Sequence, residues 1–318
     1  MEFHVEVSGE DRGLKALEIV VSQLEDFLEH FIAKLFAEGH VRCGERAIRA
    51  DQTLPPGTTL SIEVPREMTP NIGPKPYPVV VLLEDDRILA VDKPSGLSMF
   101  PGLGFEQITL FEAVWHRLKG TGDRPRIVNR IDKGTSGVVL FARDAAAQAH
   151  LAGQFQRREV LKVYRALVTG RIQGDEGEID LPLAPHPGRP EMMIVDHKQG
   201  KEARTRWRVS ARFGHATELW LTPLTGRTHQ IRVHLGAIGH PLVVDPVYGS
   251  AAPLLLSSLK RNYRHKEDPE RPLLARTPLH AARLDFRHPV DDRSLSVEAP
   301  LPKDLAVCLK QLARWDPQ

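Results

Sequence analysis

The sequence predicts an α+β protein: a mixed, mainly antiparallel central sheet with flanking helices, preceded by a small amino-terminal α/β module. Three observations predict it. Extended segments outnumber helical ones and follow one another without regular strand–helix alternation, which argues against a doubly wound parallel sheet. Residues 66–78 carry Pro70, Pro74, Pro76 and Pro78 with little apolar content, and read as a stiff linker between two regions of different pattern. The 318 residues, 41% of them hydrophobic, suffice for a catalytic domain plus an accessory one.

The first region spans residues 10–65. From Leu17 to Phe36 apolar side chains recur at helical spacing (Leu17, Val20, Val21, Leu24, Phe27, Leu28, Phe31, Ile32, Leu35). Gly39 and Gly44 then bracket a short extended piece, and Leu54-Pro-Pro-Gly turns into an alternating strand ending near Val64. Two helices followed by short strands make a compact module. The second region, residues 79–314, opens as strand, turn and strand from Val79 to Lys93, closed by a Pro-Ser-Gly bend. Further strands are expected at Val138–Ala142, Lys162–Val168, Thr205–Ser210, Thr217–Leu221 and Arg283–Phe286. Helices are expected at Leu110–Leu118, Ala145–Arg157, Thr228–Ile238 and Lys303–Ala313. Residues 251–276 are less regular and hold Lys260, Arg261, Arg264, His265, Lys266 and Arg271, a solvated insertion or a basic surface for phosphates.

Bulk properties exclude more than they assign. With 43 basic and 41 acidic residues the net charge is +2, so charge alone announces no nucleic-acid binder, although a local cleft can still be basic. Cys43 and Cys308 lie far apart and read as reduced thiols of a cytoplasmic protein. The start, Met-Glu-Phe-His-Val-Glu-Val, has neither the basic flank nor the apolar core of a secretory signal, and runs such as Val79–Leu83 are too short to span a bilayer. No metal is expected: His229 and His234 are five apart, His280 and His288 eight apart, without acidic companions at ligand spacing. Ser98 lacks the second glycine of a hydrolase nucleophile elbow.

The most informative stretch is Asn129-Arg-Ile-Asp-Lys-Gly-Thr-Ser-Gly, followed by an apolar run to Ala142. It sets a single carboxylate, Asp132, before a tight turn that aims its side chain. Catalysis draws on such aiming, because orientation alone can supply a large part of a rate enhancement. Three other segments carry chemistry-bearing residues: the alternating strand Lys162-Val-Tyr-Arg-Ala-Leu-Val, the turn-to-helix run Thr225-Gly-Arg-Thr-His-Gln-Ile-Arg-Val-His, and Leu279-His-Ala-Ala-Arg-Leu-Asp-Phe.

Together with Leu89-Ala-Val-Asp-Lys-Pro-Ser-Gly-Leu and Gly239-His-Pro-Leu-Val-Val-Asp-Pro-Val-Tyr-Gly, these segments in this order resemble the RluA-type pseudouridine synthases over about residues 84–300. The resemblance implies the pseudouridine synthase fold with an active-site cleft, and isomerisation of uridine to pseudouridine in RNA without cofactor or metal. It makes Asp132 the carboxylate that attacks the nucleoside. It casts Tyr164 as the aromatic against the target base and the base that removes the carbon 5 proton, and Arg232 as the partner of the aspartate. Arg130 would help displace the target nucleotide, and Asn129, Arg227, Gln230 and Lys93 join it as substrate-binding candidates. The sequence departs from the family at Asn129, where histidine is common. Residues such as Phe31–Glu45 and Leu54–Leu60 make the first module similar to the RNA-binding domain named after ribosomal protein S-four, although Glu18, Glu25, Asp26 and Glu29 stand where such a domain would carry bases. That module tilts the expected substrate toward large-subunit ribosomal RNA ahead of transfer RNA, acted on by a monomer. The rivals are a transfer RNA synthase, a non-catalytic RNA-binding or ribosome-assembly factor on the same fold, and a glycosidase-like hydrolase. The last would need a second acid, and none lies near Asp132 in sequence.

Overall fold

The computed structural model describes residues 2–24, 29–65, 73–100, 108–260, 263 and 269–317. Phe27, Leu28, Glu25 and Asp26, most of the expected linker, and Arg261, Arg264, His265 and Lys266 lie outside the described residues. Two compact units emerge, Met1–Tyr77 with Phe100–His116, and Pro78–Met99 with Arg117–Gln318.

The first unit holds β1 (Glu2–Glu6), α1 (Ala16–Gln23), α2 (Glu29–Ala37), β2 (Val41–Cys43), β3 (Arg46–Ala47) and β4 (Thr59–Glu63), together with all but the last residue of the later helix Leu110–Arg117. Its strands pair antiparallel in the order β1-β4-β2-β3. The edge strand β1 was not expected, although Phe3, Val5 and Val7 alternate with His4 and Glu6 in the two-residue period of a half-buried strand. Val5 and Val7 reach the core formed by Ile19, Val20, Phe31, Ile32, Leu35, Leu60 and Ile62. The helical apolar pattern is therefore spent on one side of a small sheet, as the spacing required.

The chain continues through β5 (Val80–Glu84), β6 (Ile88–Lys93), α3 (Leu110–Arg117), β7 (Arg126–Ile127), β8 (Ser136–Ala142), α4 (Ala145–Gln156), β9 (Leu161–Thr169) and β10 (Glu176–Asp180). Then follow β11 (Leu183–His186), β12 (Arg189–Val195), β13 (Arg204–Arg212), β14 (Ala216–Pro223), α5 (Gln230–Ala237), β15 (Leu279–Arg287), β16 (Ser294–Glu298) and α6 (Lys303–Trp315). Among the described residues, ten strands form one sheet in the order β10-β13-β14-β9-β15-β8-β6-β5, with β16 on β15 and β7 on β8. Among the described pairings only β8–β15 is parallel, so the α+β class with a mixed, mainly antiparallel sheet is what the chain adopts.

Helices cover both faces of this sheet. Alternate residues of β9 point opposite ways: Ala166 and Val168 pack against Ile231 and Leu235 of α5, whereas Leu167 packs with Leu305, Cys308 and Leu312 of α6. Fully burying a valine, leucine or isoleucine side chain contributes about 1.5–3 kcal/mol, and Val168, Leu235 and their neighbours thereby hold α5 over the sheet. Leu151 and Ala147 of α4 meet Val138 and Leu140 of β8. Every residue of β8 is buried, which accounts for its unbroken apolar run. Asp144 caps α4 by accepting the Ala147 N–H at 2.8 Å, a contact worth about 1 kcal/mol.

One backbone approach sets the positions of the chemistry. Gly137 has φ 116°, and a Cβ there would run into the Ala281 carbonyl across the parallel pairing. Ala281 faces Gly137 on one side and Tyr164 on the other. The loop that precedes β8 is thereby brought two strands from Tyr164, with only glycine and alanine between.

Candidate active site

Asp132 lies midway in the loop from Asn129 to Thr135, with its side chain 27% exposed. The loop is stitched from within by the Thr135 N–H donating to the Asp132 carbonyl at 3.0 Å, and from outside by the bend after β6. There the Gly96 N–H donates to the Lys133 carbonyl at 2.7 Å and the Ser95 hydroxyl to the Gly134 carbonyl at 2.6 Å. The fully buried Lys93 ammonium donates to the carbonyls of Pro94, Leu97 and Lys133 at 3.1, 2.8 and 3.2 Å. Burial pushes this lysine down from its ordinary 10.5 to about 7, against the opposing pull of Asp132. Lys93 thus holds the residue next to Asp132 in place, with its donors spent inside the fold.

Arg232 projects from the first turn of α5. Its Nε and Nη2 donate to Oδ2 and Oδ1 of Asp245, both at 2.8 Å, and its Nη1 reaches Oδ2 of Asp132 at 3.4 Å. The guanidinium also lies 5.0 Å from the Tyr248 ring centroid. The planar fork leaves one direction for its remaining nitrogen once the buried Asp245 has fixed the other two. Asp245 itself accepts the N–H groups of Val247 and Tyr248 at 3.0 and 3.2 Å. Burial alone would raise the Asp245 carboxyl, but its hydrogen bonds with Arg232, that charge and these amides hold it below the ordinary carboxylate range.

Tyr164 stands on the α5 side of β9 among Ala166, Leu221 and Ile231. Burial, then the nearby charge of Asp132, pushes its phenol above the ordinary 10.0. His229, just before α5, has φ 54° and turns Nε2 to 3.9 Å from Oδ2 of Asp132, while Nδ1 lies 2.8 Å from the Tyr248 hydroxyl. That hydroxyl already accepts the Met193 N–H at 2.8 Å. Burial lowers the His229 pKa, with Asp132 acting against it, so the imidazole is neutral near pH 7.

The remaining sequence candidates divide. Arg130 is exposed beside Asp132. Arg227 donates from Nε to the Glu202 carbonyl at 3.0 Å. Asn129 accepts the Leu140 N–H at 2.7 Å, continuing the ladder of β8 beyond the end of β7. Gln230 is buried: Oε1 accepts the Thr225 hydroxyl at 2.7 Å and the Arg227 N–H at 3.0 Å, and Nε2 donates to the Arg204 carbonyl and the Thr205 hydroxyl at 2.9 and 3.0 Å. The helix begins at Gln230, two residues later than expected, because His229 is left-handed. His234 is a satisfied core residue between Thr205 and the Leu181 carbonyl. Sequence reasoning did not single out His229, Asp245 or Tyr248 for the site. The last two lay in view, inside Asp245-Pro-Val-Tyr248.

A partly exposed carboxylate with one oxygen approached by a guanidinium, and close enough to a phenol to influence its ionisation, can attack an electrophilic carbon and leave again. Among the described residues no group of three or more His, Cys, Asp or Glu side chains could hold a metal, and no helix is long and apolar enough to cross a membrane. A family profile described as RNA pseudouridylate synthase matches residues 87–237. The chain is 41% identical over 240 residues to the ribosomal large subunit pseudouridine synthase D of Nitrosomonas europaea, covering 74% of this chain and 65% of that protein. It is 38% identical over 271 residues to the protein of the same name from Xanthomonas campestris pv. campestris, covering 82% and 77%. Its structure resembles human RNA pseudouridylate synthase domain containing 1 with a TM-score of 0.57 at 28% identity, over 76% of this chain and 89% of that one. The match in sequence, extending through the Asp132 loop, β9 and α5, makes the chain a member of the RNA pseudouridine synthase family.

Proposed function

We propose that this chain isomerises specific uridines of large-subunit ribosomal RNA to pseudouridine, as a cytoplasmic monomer, with Asp132 as the nucleophile. The observation that carries the proposal is the Asp245–Arg232–Asp132 row: a buried carboxylate fixes a guanidinium, which in turn fixes one oxygen of a partly exposed carboxylate beside Tyr164. The names of the relatives from Nitrosomonas and Xanthomonas support the choice of RNA.

The reaction asks little beyond this set. The bond between ribose carbon 1′ and uracil N1 breaks as Asp132 bonds to the sugar. The freed base turns, carbon 5 joins carbon 1′, and the carboxylate departs. One proton leaves carbon 5 and one arrives at N1, so the product is an isomer of the substrate. Splitting one hard substitution into two is the gain from a nucleophile that can leave. Tyr164 offers a face for the everted base, whose loss of stacking costs a few kcal/mol and which an aromatic partner offsets by about 1–3 kcal/mol. Its phenol, held protonated by burial, would take the carbon 5 proton only as its own proton moves on. Arg130, which is exposed, and Arg227, which is partly exposed, are suited to phosphate or base contacts.

Asp132→Asn tests this directly. The variant should unfold at the wild-type temperature and bind RNA, yet form no pseudouridine. Mapping of modified positions in total RNA, with and without the gene, should show lost sites in large-subunit ribosomal RNA. Turnover by the variant would remove Asp132 as nucleophile, and lost sites confined to transfer RNA would replace the substrate.

A further inference from the structure

We propose that His229 is a positioning residue for Asp132: its neutral imidazole carries the proton on Nε2, and together with Arg232 it holds Oδ2, so that Oδ1 is the oxygen offered to the nucleoside. The inference rests on Asp132 being the nucleophile.

Three independent features of the structure support it. The first is a proton count. The Tyr248 oxygen accepts the Met193 N–H at 2.8 Å, and its own proton is therefore available to His229 Nδ1, also at 2.8 Å. Burial keeps the Tyr248 phenol protonated, so it is a donor. A neutral imidazole that accepts at Nδ1 must carry hydrogen at Nε2. The second is aim. Nε2 faces Oδ2 of Asp132 at 3.9 Å, the same oxygen that Arg232 Nη1 approaches at 3.4 Å. Both distances are long for a hydrogen bond, as such contacts often are before substrate closes the site. The third is backbone conformation. His229 occupies the left-handed region at φ 54°, a placement that costs a non-glycine residue about 1 kcal/mol or more and that gathers at functional sites. The imidazole is locked further by its edge-on contact with Tyr248, with centroids 5.5 Å apart.

With both donors on Oδ2, rotation of the carboxylate about its Cβ–Cγ bond would sacrifice two contacts. Oδ1 is left as the free lone-pair donor, aimed in one direction. A misplacement of about 1 Å at a reacting atom can cost roughly a hundredfold in rate, so the effect should appear in turnover and not in RNA affinity.

The test uses the full chain and large-subunit ribosomal RNA from cells lacking the gene. In His229→Asn, tolerated by the left-handed backbone but too short to reach, the single-turnover rate should fall about tenfold to a hundredfold while RNA affinity stays within about threefold of wild type. His229→Gln, which restores an N–H at the place of Nε2, should recover most of the loss. Nitrogen NMR of the histidine ring should show Nε2 protonated in the wild type and a tautomer mixture in Tyr248→Phe. A wild-type rate in His229→Asn, no recovery in His229→Gln, or a ring protonated at Nδ1 in the wild type would each overturn the inference. A wild-type protein that makes no pseudouridine would instead overturn the proposed function.

Discussion

A guanidinium shared by two carboxylates serves them unequally. Asp245 is buried and takes the two short bonds of Arg232, while Asp132 is partly exposed and takes the one long approach. This asymmetry suits the nucleophilic role proposed for Asp132, since a carboxylate fully bonded to arginine would be a poor attacker. Tyr164 presents the opposite problem. Burial, with the charge of Asp132 adding to it, raises its phenol, so very little phenolate exists near neutral pH. A base of that kind works only if its proton is passed on as it accepts another. Tyr164→Phe should therefore retain RNA affinity within a few-fold and lower the single-turnover rate by about 10²–10⁴, the usual worth of positioned proton transfer. The wild-type rate should show no inflection from Tyr164 below pH 10. An unchanged rate in the phenylalanine variant would leave Tyr164 as a stacking surface alone.

Strand-level geometry, more than any single side chain, decides whether Asp132 and Tyr164 meet. The close parallel approach of β8 to β15 needs Gly137, because an added Cβ would strike the Ala281 backbone and φ 116° is open only to glycine. Gly137→Ala should cost more than about 2 kcal/mol, read as a lower urea midpoint, and should abolish turnover by moving the Asp132 loop. A normal midpoint would show that the two strands have room to separate. Much of this scaffold was legible in the sequence. α3, α4 and α6, and strands β8, β9, β13, β14 and β15, announce themselves by long apolar periods. β7, β10, β11, β12 and β16 do not, since they are short or polar and exist by pairing with distant partners, as Glu176–Asp180 does with Arg204–Arg208. The site divides in the same way. Asp132, Tyr164 and Arg232 stand in motifs. His229 and Tyr248 meet across 19 positions and Arg232 and Asp245 across 13, and their bearing on Asp132, about a hundred positions away, appears only in the folded chain. Lys93, Asn129 and Gln230 are substrate-binding candidates by the family resemblance, and their hydrogen bonds to carbonyls, to the Leu140 N–H and to threonine hydroxyls leave no local trace in the sequence.

Across the whole molecule, buried bases outweigh what the near-neutral net charge of +2 implies about pH. Burial lowers His229, His234 and His280 below the ordinary 6.5, pushes Lys162 down to about 8 and Lys93 to about 7. Each binds a proton more readily in the unfolded chain than in the native one, so each makes stability rise with pH. For the histidines the rise ends at about pH 6.5; for the lysines it runs from about 7–8 up to 10.5. Buried acids work in reverse. Burial raises Tyr164 and Tyr248 above 10.0 and pushes Cys308 from 9.0 up to about 12. The unfolded chain then loses protons first, and stability falls as pH climbs past 9 for the thiol and 10 for the phenols. Asp245, held low by Arg232, contributes at every pH above the ordinary carboxylate range and so leaves this window unchanged. The urea midpoint should accordingly climb from pH 6 to a maximum at roughly pH 9–10 and decline beyond it. Lys93→Met should remove the climb between about pH 7 and 8 and lessen it above pH 8, where Lys162 still contributes its share. A midpoint that peaks below pH 7 in the wild type would mean that these lysines keep their charge through contacts with water, and that the clasp behind the Asp132 loop is looser than its three carbonyl bonds imply.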